Sequence, residues 1–309
     1  MTRHIIITGA CGFLGRYAAQ HFANQGWTVS GIGHSANDFS PKQCGISHWL
    51  ESDIDSASLS KLIEDTGKPD AVFHCAGSGS VGKSWDAPLQ DFERTALTTA
   101  AVIEAMRNHA PESLLIYPSS AAVYGESADD ALNEESALHP MSPYGLHKLV
   151  SEDLCLGAHR IFGLRVAIIR FFSVYGPGLR KQLLWDITRK LRAGGGTLTL
   201  DGTGAELRDF IYADDAARLV ERVAEKPPAT GSIILNGATG IPTSVASIAR
   251  LLIEAMGKSG SVNLEFTGRC RPGDPSRLVG DTSGLEKIGF DSNVRVAEGI
   301  RRFVATLSD

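Results

Sequence analysis

The chain has 309 residues, is 43% hydrophobic and carries a formal net charge of -5. That balance suits an ordinary globular protein and excludes the basic field of a nucleic-acid-binding surface. No apolar run approaches the roughly 20 residues that span a bilayer, and the sequence opens directly on a strand pattern, so neither a membrane span nor a signal peptide is expected.

The length predicts one large domain plus a smaller one. Ile5-Ile6-Ile7 reads as a buried strand, His4–Thr8, and Gly9, Gly12 and Gly15 follow at once in GACGFLG. These glycines permit a tight turn and let backbone N–H groups approach a diphosphate at the start of a helix. Gly9, Gly12, Phe13, Leu14 and Gly15 are therefore read as a nucleotide-cofactor loop, with a helix over 12–25. Further strands are expected at 28–32, 71–75, 114–117 and 165–170, and helices at Ser56–Thr66, 89–108 and 142–162. This rhythm predicts an α/β fold: a Rossmann-type, doubly wound parallel sheet with helices on both faces and ligands at the C-terminal ends of its strands. Gly9, Asp53, Cys75-Ala76-Gly77, Ser119, Ser120 and Ser173 fall at such ends.

Beyond these the regularity fades. Gly194-Gly195-Gly196 and residues 201–204 punctuate the chain, and Pro227-Pro228 marks a loop. Strands at Thr197–Leu200 and 232–235 and a helix at 245–256 are expected. The pattern suggests a smaller, interleaved C-terminal α/β substrate domain. Residues 1–172 plus about 208–236 would bind the cofactor; about 173–207 plus 237–309 would bind the substrate. Cys11, Cys44, Cys75, Cys155 and Cys270 lack CxxC spacing, and the nine histidines form no metal spacing. Free thiols, a cytoplasmic location and no metal are expected.

The sharpest chemical signal is Tyr144-Gly145-Leu146-His147-Lys148, preceded by Ser142 as a helix cap and Pro143 as first helical residue. Tyr144 and Lys148, four apart, share one helix face, a spacing also found on plain amphipathic surfaces. A phenol titrates near 10, and a neighbouring ammonium favours phenolate. The pair can thus act as a tunable acid or base, with the lysine also able to hold a ribose hydroxyl.

Five ordered segments, GACGFLG, YPSSAAVYG, SPYGLHKLVSE, DGTGAELRDFIYADD and RPGDPSR, resemble those of the extended short-chain dehydrogenase/reductase family, in its nucleotide-sugar epimerase/dehydratase branch. The resemblance covers essentially the whole chain. It implies a catalytic set of Ser120, Tyr144 and Lys148, with Tyr144 moving a proton on a sugar hydroxyl as hydride passes to or from nicotinamide. It implies that Asp53 and Ile54 meet adenine, that Cys75, Ala76 and Gly77 let the cofactor backbone pass, and that Phe171 packs near nicotinamide. Arg208 and Arg271 would grip the diphosphate of a nucleotide-diphosphate sugar, for which a guanidinium fork is suited. Ser84 and Ser173 would lie near the hexose, and Asp209 and Asp274 would organise loops. Helices 89–108 and 142–162 would pair in a homodimer through a four-helix bundle.

The acid that NAD enzymes carry after the second strand is missing from Ser30-Gly31-Ile32-Gly33-His34-Ser35. His34 and Ser35 point toward NADP, and Asp38 toward NAD; NAD is favoured. Related dehydratases carry an acidic pair just after the catalytic hydroxyl, where Ala121 and Ala122 stand here, so a dehydratase is disfavoured. A 4-epimerase of UDP-hexose type is the preferred expectation. A reductase of a nucleotide-linked 4-keto sugar is the alternative, and a non-catalytic cofactor-binding protein ranks below both.

Overall fold

The computed structural model describes residues 2–35, 39–229, 231–269 and 273–307; Asp38, Cys270 and Arg271 lie outside them. The first half runs β1 (His4–Thr8), α1 (Phe13–Asn24), β2 (Thr28–Gly33), β3 (His48–Glu51), α2 (Ser56–Thr66), β4 (Ala71–His74), α3 (Val81–Asp86), α4 (Pro88–Phe92), a π-helical turn (Glu93–Leu97), α5 (Thr98–His109), β5 (Leu114–Ser120), α6 (Pro143–Phe162) and β6 (Arg165–Phe171). It continues with β7 (Ser173–Tyr175), α7 (Gln182–Ala193), β8 (Thr197–Leu200), β9 (Leu207–Tyr212), α8 (Ala213–Glu225), β10 (Ser232–Gly237), β11 (Pro242–Ser244), α9 (Val245–Ala255), β12 (Asn263–Phe266), β13 (Arg277–Leu278), α10 (Ser283–Lys287) and α11 (Val296–Ala305).

Seven strands form one parallel sheet in the order β10-β6-β5-β4-β1-β2-β3. β1 lies between β2 and β4, with Ile5 opposite both Val29 and Ala71. Being covered on both faces, it is apolar at successive positions. Ile5 and Ile7 face a core closed by Phe22 of α1 and Leu219 and Val223 of α8; Ile6 faces the opposite core, with Leu59 of α2, Met106 of α5 and Cys155 of α6. This is the expected doubly wound fold, and chain order reverses between β1 and β4, the switch point where such sheets bind ligands.

The remaining strands build a smaller layer. β9 pairs with β7, β11 and β13, and β8 pairs with β12. Apolar residues of α7, α9 and α11 close its own core around Ile187, Leu252 and Phe303. The chain enters this layer at β7, returns to the large sheet through α8 and β10, and leaves again at β11.

One expected helix differs in form. Residues 89–108 are not one α-helix but α4, the π turn and α5. The wider turn holds Thr95, whose Oγ1 accepts a hydrogen bond from the Ser78 amide at 3.3 Å, tying the helix to the loop after β4. Among the described residues, no helix is long and apolar enough to cross a membrane, and no cluster suited to a metal occurs. Cys11, Cys44, Cys75 and Cys155 are free thiols.

Candidate active site

The glycine loop turns tightly enough to bring β1 against β4. Gly9 has φ +64°, and a Cβ there would stand 2.8 Å from the Ala76 backbone. A Cβ at Gly15 would stand 2.4 Å from the Gly9 carbonyl oxygen. Gly12 caps α1 without any side chain, so the first amides of α1, which begins at Phe13 and Leu14, are not satisfied by a capping residue. A bare helix N-terminus beside a backbone cradle fits the diphosphate of a dinucleotide. Thr8 Oγ1 accepts from the Ala76 amide at 3.1 Å and bonds His74 Nδ1 at 2.8 Å, and His74 Nε2 reaches Thr99 Oγ1 at 3.2 Å. Burial, then the Lys148 charge, pushes His74 down to about 3, so the imidazole is a neutral brace that fixes the ends of β1 and β4. Sequence reasoning missed it because its partners are 66 and 25 positions away.

Beyond β2 and β3, His34 Nε2 meets Asp53 Oδ1 at 2.7 Å, so two expected cofactor residues lie side by side, both exposed; Ile54 packs partly buried against the core of the α2 face. Cys75 and Gly77 flank Ala76 at the end of β4, and Gly77 has φ +145° with a Cβ position 3.4 Å from the Arg94 carbonyl oxygen. Burial pushes the Cys75 thiol up to about 12.

Helix α6, which carries Tyr144 and Lys148, begins sharply. Ser142 caps α6 by accepting from the Gly145 amide at 3.1 Å, Pro143 follows, and Gly163 ends the helix at φ +73°. Tyr144 and Lys148 face the end of β5. Lys148 Nζ donates to the Pro118 carbonyl at 2.8 Å and lies 4.8 Å from the Tyr117 ring centroid and 6.0 Å from that of Tyr144. Burial lowers its ammonium to about 8. Burial also pushes the Tyr144 phenol up to about 12, opposed by the facing Ser120 hydroxyl and reinforced by Asp91 and Cys75. Desolvation sets the direction, so the phenol is raised and not lowered as the lysine at i+4 led one to expect. Ser120 Oγ also accepts from the Ala122 amide at 3.2 Å.

Several expected contacts have other duties. Ser84 is fully buried; its hydroxyl donates to the Val81 carbonyl at 2.7 Å and accepts from the Tyr144 amide at 3.1 Å. The second bond ties α3 to the start of α6. Phe171 is core: a Cβ at Gly237 would lie 2.4 Å from its ring. Ser119 donates to Glu152 at 2.5 Å, and Glu152 pairs with Arg170 at 2.8 Å. Arg170 also donates to the Tyr124 hydroxyl at 3.1 Å, and that hydroxyl donates to Asn236 at 2.6 Å. This buried network secures α6 to β6 and β10.

On the substrate-facing side, Ser173 lies half-buried in β7, opposite Phe210. Arg208 of β9 is ion-paired to Asp274, while Glu126 accepts from the amide of Ser276 at 2.9 Å and from its hydroxyl. Asp209 is buried and organises its loop by accepting from the amides of Thr239 and Gly240, each at 2.8 Å. Arg271 is outside the described residues.

A model of the NAD dependent epimerase/dehydratase family matches residues 5–236. The "Uncharacterized UDP-glucose epimerase YtcB" of Bacillus subtilis (strain 168) is 28% identical, over 98% of each chain. Among solved structures, MoeE5 in complex with UDP-glucuronic acid and NAD aligns with a TM-score of 0.87 at 27% identity, covering 98% of both chains. The UDP-glucuronic acid 4-epimerase from Bacillus cereus, in complex with UDP-glucuronic acid and NAD, aligns with a TM-score of 0.85 at 28% identity and the same coverage.

Proposed function

Because this chain belongs to the NAD dependent epimerase/dehydratase family, we propose that it is an NAD-using nucleotide-sugar 4-epimerase of UDP-hexose type. The observation that carries the reading is the convergence of Tyr144, Ser120 and Lys148 at the end of β5, together with a glycine loop so tight that a Cβ at Gly9 would collide with the Ala76 backbone. The NAD-bound structures of MoeE5 and the B. cereus enzyme support NAD as the cofactor.

Bound NAD supplies a reversible hydride acceptor at sugar C4. Tyr144, whose phenol burial holds at about 12 in the cofactor-free chain, must ionise in the loaded site to take the C4 hydroxyl proton, and it returns that proton after the sugar has turned; Ser120 hydrogen-bonds the same oxygen, where charge develops. Lys148, held at the Pro118 carbonyl, orients a ribose hydroxyl. Arg208, and Arg271 from the RPGDPSR segment, bind the diphosphate. Ala121 and Ala122 move no proton, which argues against water elimination.

We further propose a homodimer. Exposed Leu89, Phe92 and Leu97 lie along α4 and the π turn, beside Leu146, Leu154 and Ile161 on α6, a stripe suited to a second copy. The free thiols suit a reducing compartment, and we place the enzyme in the cytoplasm.

The test is interconversion of UDP-glucose and UDP-galactose by the purified protein, with released cofactor identified by mass spectrometry. Tyr144→Phe should retain NAD and lose at least about 10²-fold in turnover. Near-wild-type turnover by that variant removes Tyr144 from the chemistry. Consumption of NADPH with 4-keto sugars, without hexose interconversion, replaces the epimerase by a reductase.

A further inference from the structure

In NAD-binding sheets of this type, an acid about 20 residues past the glycine loop hydrogen-bonds the adenosine ribose. Here β2 ends in Gly33, whose φ of +152° is a conformation that side-chain-bearing residues rarely adopt. The backbone that brings Gly33 within 3.6 Å of Gly9, measured from its ideal Cβ position, therefore disfavours the usual acid at that point. The neighbouring strand supplies one. Gly33 is paired in register with Glu51, the last residue of β3.

Glu51 is exposed but held in place. Its Oε1 accepts from the Ser35 amide at 2.8 Å, and its Oε2 accepts from the Ser35 hydroxyl and from Trp49 Nε1 at 3.0 Å. These bonds hold its carboxyl well below the usual carboxylate range, so it is ionised at neutral pH. A carboxylate has about four acceptor positions; the three donors leave room at Oε1. Cys11 of the glycine loop donates to the His34 carbonyl at 2.6 Å and feels the charges of both Glu51 and Arg16, so this corner adjoins the diphosphate cradle. Arg16, the cation of the corner, is bound to the Cys11 carbonyl at 2.7 Å and lies over the Phe39 ring.

We propose that Glu51, reaching in from β3, is the acid that selects NAD over NADP in this chain: it accepts a hydrogen bond from an adenosine ribose hydroxyl and repels a 2′-phosphate. This rests on the NAD reading above. It also gives Ser35 the role of fixing a carboxylate, where the sequence alone pointed Ser35 toward NADP.

The experiment is calorimetric titration of the cofactor-stripped full chain with NAD and with NADP, for wild type, Glu51→Gln and Glu51→Asp. Wild type should bind NAD at least about tenfold more tightly than NADP. Glu51→Gln should lower that ratio at least about tenfold, and Glu51→Asp, which keeps the charge, should retain most of it. In wild type itself, raising salt from about 0.01 M to about 1 M shortens the Debye length from about 30 Å to about 3 Å and should narrow the ratio, as repulsion by the carboxylates of this corner requires; the assignment to Glu51 is read from the two variants. NAD binding by wild type with a ratio that Glu51→Gln leaves unchanged, whatever salt does, overturns the role of Glu51 and leaves the epimerase reading intact. Tighter binding of NADP by wild type overturns it in favour of Arg16 as a phosphate ligand. Binding of neither dinucleotide overturns the NAD reading itself, and this inference with it.

Discussion

Replacing Lys148 by Met tests whether the ammonium is as desolvated as its surroundings imply. Burial lowers it from 10.5 to about 8. A base with a lowered folded-state value carries its full penalty below about 8, here about 3 kcal/mol, and loses it as pH rises toward 10.5, because the unfolded chain then binds more protons than the folded one. Met removes the charge but also the hydrogen bond to the Pro118 carbonyl at 2.8 Å and the contact with the Tyr117 ring. Each of those losses is about 1–2 kcal/mol, so the stability difference near pH 7 is small and its pH dependence is diagnostic. Between about pH 7 and about pH 9.5, wild type should gain about 2 kcal/mol on Lys148→Met. Other groups, including the Cys75 thiol, titrate alike in both proteins to first order and largely cancel in the difference. The assay is urea denaturation of both cofactor-free proteins across that range, alongside turnover, which should fall at least about 10²-fold in the variant. A stability difference that stays flat with pH would refute the buried ammonium, whatever happens to activity.

Three further outcomes follow from the geometry. Gly9→Ala should weaken NAD binding at least about tenfold and cost at least about 1 kcal/mol of stability, since its φ is +64° and its Cβ position is 2.8 Å from the Ala76 backbone; calorimetry and thermal melting check both. Arg170→Ala should destabilise by about 3–5 kcal/mol in urea, because it strands the buried Glu152 carboxylate, whereas the double change to Met at both positions should be much milder. Ile161→Glu, on the exposed stripe of α6, should shift sedimentation from dimer to monomer; an unchanged sedimentation coefficient would argue against that surface as the interface.

The large sheet and the catalytic helix were legible because their signals are local. An isoleucine triplet meets a glycine loop, and Ser142-Pro143 announces the helix that carries Tyr144 and Lys148. β3 was not legible: HWLE has no clear alternation, and it is a strand because β2 offers it an edge. α7, α8 and α11 do carry helical spacing, as in Leu184, Ile187 and Leu191, but glycine and proline punctuation around them reads as loop. At the site, the bond from the Tyr144 amide to Ser84, 60 positions apart, was invisible in sequence because only the fold brings α3 to the start of α6. Glu51 was hidden for the same reason, since register across two strands sets its place beside Gly33.

The interleaving of the two layers limits how such a protein can diversify. α8 and β10 complete the large sheet only after the chain has already passed through β7, α7, β8 and β9. No single cut separates the large sheet from the small layer, so neither forms a contiguous block of sequence. A gene fragment ending at β6 would lack an edge strand and the helix covering one face of its core, so the large sheet cannot close until the small layer has been threaded.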